Sequence, residues 1–162
     1  MLRIAFAGFR HGHILDVYKA AMERDDMAVV GAAEDDVATR NALSIDITHD
    51  SVDALFNDAD SFDALAVGDF YARRGSLIIR ALDLGKNVIV DKPMCTDLGE
   101  LEQIADRLES SDRIVACQLT MRDGASARTL KKAVSDGLIG SVRTVNFMGQ
   151  HPLKHGSRAD WY

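Results

Sequence analysis

The first turn of the chain carries residues that could bind a phosphate. It follows an apolar run at 2–7 and precedes a segment with helical spacing. A turn from a buried strand into a helix offers backbone amides and the positive end of the helix dipole to an anion. The usual dinucleotide fingerprint is G-x-G-x-x-G, of which only the first glycine, Gly8, is in register. The residues predicted to contact a cofactor here are Gly8, Phe9, Arg10, His11, Gly12 and His13.

Two acidic residues follow this turn, at the end of the next apolar run. Glu34 ends the second apolar run and is followed by Asp35, and both are predicted cofactor contacts. A carboxylate at this place accepts hydrogen bonds from a ribose diol and repels a 2′-phosphate, which favours NAD. The alternative is an acidic turn that opens the next helix. Because Arg10, Arg73 and Arg74 could each reach a phosphate, NADP also stays open.

Histidines and arginines near these turns have competing interpretations. His11 and His13 could form half of a metal site, but they have no Cys or carboxylate partner at fixed spacing, so no metal is predicted. His151 and His155 are predicted as loop residues because Pro152 opposes a helix between them. A pair of arginines, 73 and 74, at the start of a helix indicates either a nearby anion or ion pairs with aspartates.

Composition excludes several classes of protein. The chain has 162 residues, 47% hydrophobic residues and a net charge of −6, with no stripe of Lys and Arg for nucleic acid and no long apolar run for a membrane. Cys95 and Cys117 lack C-x-x-C spacing and are expected to be reduced. We therefore expect a cytoplasmic protein that binds a small molecule.

Two periodicities alternate along the chain and predict an α/β fold. Short runs rich in Val and Ile alternate with helical segments, which indicates a Rossmann-like, doubly wound parallel sheet with crossover helices. Strands are predicted at 2–7, 27–33, 47–49, 64–67, 87–90, 113–118 and 142–148. Helices are predicted at 12–24, 36–43, 52–56, 73–84, 98–110 and 126–135.

One block of sequence indicates a particular family more specifically than the turn at 8–13 does. Residues 81–94 read ALDLGKNVIVDKPM and contain Asp91-Lys92-Pro93, and residues 138–142 read LIGSV. These passages resemble the AL-x-x-GK-x-V-x-x-EKP block and the later G-x-IG-x-V passage of the Gfo/Idh/MocA family. This family groups NAD(P)-dependent oxidoreductases related to glucose-fructose oxidoreductase and inositol dehydrogenase.

The resemblance assigns roles to individual residues. Lys92 matches the motif lysine that reaches substrate and nicotinamide ribose, and Pro93 matches a proline that often follows a cis peptide bond. The catalytic residue is thus Lys92, with Asp and His partners expected beyond Tyr162. Further contacts to the cofactor are implied for Gly68, Asp69, Phe70, Arg74, Lys92 and Pro93. Thr120, Met121 and Arg122 match a loop that faces the active site in relatives.

The resemblance also implies how the chain is divided. Residues 1–122 correspond to a dinucleotide-binding Rossmann domain, and residues 123–162 to a connecting helix and the first strand of an α+β substrate domain that is otherwise missing. The implied reaction is hydride transfer between NAD(P) and a sugar, polyol or related keto compound, with the chain alone inactive. Alternatives are a non-catalytic ligand sensor that acts through a protein partner and a homo-oligomeric module.

Overall fold

The computed structural model describes residues 1–150 and residue 156. Its centre is a five-stranded parallel sheet with the order β2-β1-β3-β4-β5. The strands are β1 (Leu2–Ala7), β2 (Met27–Ala33), β3 (Ala64–Val67), β4 (Asn87–Asp91) and β5 (Val115–Gln118). The order reverses direction between β2 and β3, on the two sides of β1, as in doubly wound folds. The prediction of a Rossmann-like sheet is confirmed.

Seven α-helices connect or follow these strands in the described residues. They are α1 (His13–Met22), α2 (Val37–Ala42), α3 (Val52–Asn57), α4 (Tyr71–Asp83), α5 (Leu98–Glu109), α6 (Thr120–Asp123) and α7 (Ala125–Ser135). The side chains of Asp36, Ser51 and Asp97 accept hydrogen bonds from backbone amides at the starts of α2, α3 and α5. Such caps satisfy amides that a helix cannot satisfy internally.

The sheet is buried on both faces because helices cross over each of them. Within β1, Ile4 and Phe6 point to the face that also holds Ile14 of α1. Ala5 and Ala7 point to the opposite face, where the larger core cluster lies. Because α1 follows β1 directly in the chain, its start lies at the carboxyl edge of the sheet, where ligands bind in open α/β sheets.

Two predicted strands are not formed. Residues 47–49 contribute only an isolated bridge between Ala33 and His49. The segment at 142–148 is not a strand, and its Phe147 and Met148 are highly exposed. A strand requires a neighbour for its amides and carbonyls, and the described part of the chain offers none to this segment. Alternation of residue types predicts which way side chains would point, but pairing decides whether a strand exists.

Contacts between Cα positions divide the chain into two compact units. The first runs from Met1 to Gln118 and contains the whole sheet, and the second begins at Leu119 and contains α6 and α7. None of the helices in the described residues is long and apolar enough to cross a lipid bilayer.

Candidate functional site

Two glycine turns meet at the carboxyl edge of the sheet. Gly8 follows β1 with φ of +81°, and a Cβ atom there would lie 2.7 Å from the backbone of Asp69. Gly68 follows β3, and its Cβ would lie 2.6 Å from the carbonyl oxygen of Gly8. The Arg10 amide donates to the Gly68 carbonyl at 3.0 Å. Glycine is therefore required at both positions, and the loop at 8–12 is fixed against the loop at 68–70.

The start of α1 meets one requirement for anion binding. Gly12 is the N-cap residue, and no side chain caps the helix. A Cβ atom added to Gly12 would meet nothing within 4 Å, so there is open space beside this residue. The amides of His13 and Ile14 donate only over 3.5 and 3.3 Å, both to His11, and a helix start of this kind suits a pyrophosphate. The side chain of Arg10, however, stands where the fingerprint has its second glycine.

Glu34 is buried beneath this loop and already has hydrogen-bond donors. Its Oε2 accepts from the Phe9 amide at 2.6 Å. Its Oε1 accepts from the Asp36 amide at 2.8 Å and from Arg10 Nε at 3.1 Å. The carboxylate thus fixes the first loop to the end of β2. A ribose hydroxyl could join this set by taking the place of the Arg10 side chain, which also lies against Asp36 and Asp69.

Arg73 bridges two acidic residues of different loops. Its Nη1 lies 2.8 Å from Asp35 Oδ2 and 3.0 Å from Asp69 Oδ2. Asp69 also accepts from the Phe70 amide at 2.7 Å, and burial raises the pKa of its carboxyl. Of the two interpretations of the arginine pair, ion pairing with aspartates accounts for Arg73. Asp35, predicted as a cofactor contact, is held by this bridge and by the Val52 amide.

Arg74 corrects one prediction. It was expected to contact the cofactor, but its side chain is completely buried. Its guanidinium donates to the carbonyl oxygens of Asp69 at 2.7 Å, Lys92 at 2.7 Å and Pro93 at 3.0 Å. Five fixed N–H groups allow one side chain to hold several carbonyls at once. Arg74 therefore joins the loop after β3 to the loop after β4 and does not reach the open edge.

Lys92 and Pro93 lie in the loop that Arg74 holds. The peptide bond between them is cis, as the resemblance implies. The Lys92 amide donates to Asp91 Oδ1 at 2.7 Å, so the backbone is held from both sides. The Lys92 side chain is half-buried and Pro93 is exposed. The predicted catalytic lysine thus leaves the carboxyl end of β4 on a well-supported loop.

The structure also brings together three residues that sequence reasoning left apart. His11 Nδ1 lies 2.8 Å from Asp91 Oδ2, and His13 Nδ1 lies 3.1 Å from Asp91 Oδ1. Asp91 is completely buried, and its carboxylate faces both imidazoles. The available signal was topological, because Asp91 ends a parallel strand and the histidines follow another, so all three reach the same edge.

The second unit holds one further set of predicted residues. Thr120, Met121 and Arg122 form most of α6 in the second unit. His151 and His155 are outside the described residues. Burial raises the pKa of the Cys95 thiol, which favours the neutral, unreactive form.

Fold and loops together define a dinucleotide-binding Rossmann domain. A model of the oxidoreductase family with an NAD-binding Rossmann fold, the Gfo/Idh/MocA family, matches residues 2–119. The chain belongs to this family. The match spans the whole first unit, from β1 to the residue after β5.

Relatives of this chain include dehydrogenases of inositols. An inositol 2-dehydrogenase/D-chiro-inositol 3-dehydrogenase of Lacticaseibacillus casei is 29% identical over 93 residues, which are 57% of this chain and 27% of that protein.

Solved structures share the fold. An inositol dehydrogenase homologue of Azotobacter vinelandii in complex with NAD⁺ matches with a TM-score of 0.73 and 23% identity, over 88% of this chain and 40% of that one. A myo-inositol 2-dehydrogenase of Lactobacillus plantarum matches with a TM-score of 0.72 and 23% identity, over 87% of this chain and 43% of that one. The chain spans less than half the length of these relatives.

Proposed function

We propose that this chain is the NAD-binding part of an oxidoreductase that transfers hydride between NAD and a polyol or sugar, or the corresponding ketone. The observation that supports this proposal best is the edge of the sheet at which the Gly8 turn, the Gly68 turn and Glu34 meet beside the start of α1. Inositol dehydrogenases among the relatives support a polyhydroxylated substrate.

Several residues would hold the cofactor in this proposal. The loop at 8–12 and the first amides of α1 face the pyrophosphate, and Glu34 accepts from the adenosine ribose. Asp69 and Phe70 lie at the adjoining loop. Gly8 and Gly68 fit this role because each is forced to be glycine by a close approach of backbone.

Lys92 is the residue that acts on the substrate. When bound, the nicotinamide accepts or supplies the hydride. The Lys92 ammonium donates a hydrogen bond to the reacting oxygen and so orients it, while Arg74 and Asp91 hold the loop from which Lys92 projects. The Asp and His that would exchange the proton are expected beyond Tyr162.

Calorimetric titration with NAD tests this proposal. We expect saturable 1:1 binding, weakened about tenfold or more in Glu34→Gln, because a neutral amide is a poorer acceptor for ribose hydroxyls than a carboxylate. Glu23→Gln, at the exposed end of α1, is the matched control and should bind as the parent does.

Two results would contradict the proposal. One is the absence of NAD binding in a sample whose circular dichroism shows a folded chain. The other is equal affinity in the parent, Glu34→Gln and Glu34→Ala, which would show that the nucleotide binds away from this edge. The sensor alternative receives no support from the relatives, which are described as dehydrogenases and oxidoreductases.

A further inference from the structure

The three-residue cluster beside Lys92 has the donor set of a transition-metal site. His11, His13 and Asp91 each offer one ligand atom, and these atoms all lie within 4.8 Å of one another. Two imidazoles and one carboxylate bind Zn²⁺, Fe²⁺ and related ions in many proteins, leaving positions open for water or substrate. We propose that His11, His13 and Asp91 bind a divalent first-row transition-metal ion.

The ligand atoms must move closer together to hold one ion. Ligand atoms that each lie about 2.0–2.2 Å from one ion are themselves about 3–3.5 Å apart at tetrahedral or octahedral angles. His11 Nδ1 lies 2.8 Å from Asp91 Oδ2 and His13 Nδ1 lies 3.1 Å from Asp91 Oδ1, and the set with one atom from each residue lies within 4.8 Å. His13 is the most exposed of the three, with 38% of its side chain accessible, so its ring can turn to complete the set.

Rigid elements hold the ligands. Asp91 is the last residue of β4, and its carboxylate accepts from the Lys92 amide at 2.7 Å. His13 begins α1, and its carbonyl oxygen accepts from Gln118 Nε2 at 3.1 Å. Support of this kind orients ligands before the ion arrives.

A second observation points to a ligand here. Gln118 Oε1 is buried and has no hydrogen-bond partner among the described residues. The amide nitrogen of the same side chain donates to the His13 carbonyl oxygen at 3.1 Å, so Gln118 ends beside the backbone of one of the three ligands. Buried acceptors are normally satisfied, and water bound to an ion in the cluster would provide the donor.

Nearby positive charge does not prevent binding. Arg74 Nη2 is 3.4 Å from Asp91 Oδ2, a longer contact than its bonds to the carbonyls of Asp69, Lys92 and Pro93. The guanidinium is therefore used mainly by the backbone, and the Asp91 lone pairs that now face His11 and His13 would bind the ion.

The site would face the open edge of the sheet. Gly12 lies between the two histidines, and nothing stands within 4 Å of the position of an added Cβ there. An ion with open positions next to Lys92 would polarise a hydroxyl or carbonyl oxygen of a substrate. The proposal thus adds a metal centre to the edge at which NAD binding is proposed.

The test is titration of the 162-residue chain with Zn²⁺ and Co²⁺, after treatment with a chelator, by calorimetry and by visible absorption of Co²⁺. We expect one equivalent to bind, with affinity reduced on the order of 100-fold in His11→Gln and in His13→Gln. His49→Gln and His49→Ala each remove a histidine outside the cluster, one that pairs with Asp58, so both are matched controls.

Unchanged affinity in both His11→Gln and His13→Gln would overturn the proposal, as would loss of binding in the controls. Absence of binding would show that the cluster is hydrogen-bonded only. Circular dichroism of each variant separates unfolding from loss of a ligand. Because no nucleotide is present, failure here is distinct from failure of the proposed NAD site.

Discussion

At the scale of single residues, Arg10 most distinguishes this loop from a standard dinucleotide turn. Its Nε lies 3.1 Å from Glu34 Oε1 and 3.9 Å from Asp69 Oδ1, and its guanidinium stands over the Phe70 ring. The positive charge of Arg10 therefore lies between the carboxylates of Glu34 and Asp69, at the position proposed for the adenosine ribose. Such a cation favours a 2′-phosphate, whereas Glu34 favours a free hydroxyl.

We predict that Arg10→Gly shifts the preference between the two cofactors toward NAD. NADP affinity should fall about tenfold relative to NAD, since one charge-assisted hydrogen bond to phosphate is lost. Parallel calorimetric titrations of NAD and NADP measure the ratio. The control is Arg24→Gly, which removes an exposed arginine paired with Asp26. It changes the net charge equally and should leave the ratio of the NADP and NAD affinities unaltered. An unchanged ratio in Arg10→Gly would place Arg10 outside the ribose site.

A second residue-scale prediction concerns acid stability. The Arg3 guanidinium and amide hold the pKa of Asp63 at about 2, below its usual 3.8. Because the folded-state pKa is lowered, the pair stabilises the fold above about pH 4, and this contribution disappears as the pH falls toward 2. Both side chains are largely exposed, so the effect is small.

Urea unfolding of the parent and Asp63→Asn between pH 2 and pH 6 measures this contribution. The parent should be the more stable at pH 6, and the difference should shrink strongly as the pH falls from 4 to 2. The control is Asp46→Asn, at an exposed position. A difference as large at pH 2 as at pH 6 would assign the stabilisation to something other than the ionised carboxylate.

At the scale of elements, close approach of the turns after β1 and β3 sets up the candidate site. A Cβ on Gly68 would lie 2.6 Å from both the Gly8 carbonyl oxygen and Ile14 Cγ2, whereas a Cβ on Gly12 would meet nothing. We predict that Gly68→Ala lowers the free energy of unfolding by about 1–3 kcal/mol through overpacking. Gly12→Ala, with helical φ of −61°, should be neutral or slightly stabilising.

Urea denaturation of the two variants checks this contrast, since both add one methyl group to neighbouring loops. Equal stability of Gly68→Ala and Gly12→Ala would show that the loops after β1 and β3 separate more easily than their packing indicates.

Arg74 connects two further loops, those after β3 and β4. We predict that Arg74→Met costs about 3–5 kcal/mol of unfolding free energy, because it removes the cation that pairs with the buried Asp91 carboxylate and leaves the carbonyls of Asp69 and Lys92 without their donor. Arg80→Met on the same helix is the control, since Arg80 forms an exposed ion pair with Asp53. Similar costs for the two variants, measured by urea unfolding, would contradict the connecting role.

At the scale of the whole molecule, the first unit holds the sheet, the turns and Lys92 together. We predict that the 162-residue chain binds NAD but forms no detectable NADH with polyols, because the family resemblance assigns the Asp and His partners of Lys92 to the substrate domain. Absorbance of NADH over time measures turnover. Turnover that Lys92→Ala abolishes would show that the chain already contains a complete acid–base set.

Much of the fold followed from local patterns. Val- and Ile-rich runs separated by helical segments determine a parallel sheet, because strands buried on both faces must be apolar throughout and crossovers need helices. Gly8, Glu34 and Asp91-Lys92-Pro93 could be placed at one edge from the order of elements alone. The segment at 142–148 could not be predicted correctly, since its alternation says nothing about a pairing partner.

The tertiary structure decided which groups those residues contact. Burial of Arg74 depends on carbonyls 17 to 19 positions away, and Asp91 reaches His13 across 78 positions. No spacing rule connects such pairs, because the distance between them is fixed by the order of strands in the sheet and by side-chain rotamers. The sequence by itself determined the family, the sheet and the edge that carries the site. Packing alone buried Arg74, which was predicted to contact the cofactor, between the loops after β3 and β4. Packing also brought His11 and His13 together around the carboxylate of Asp91.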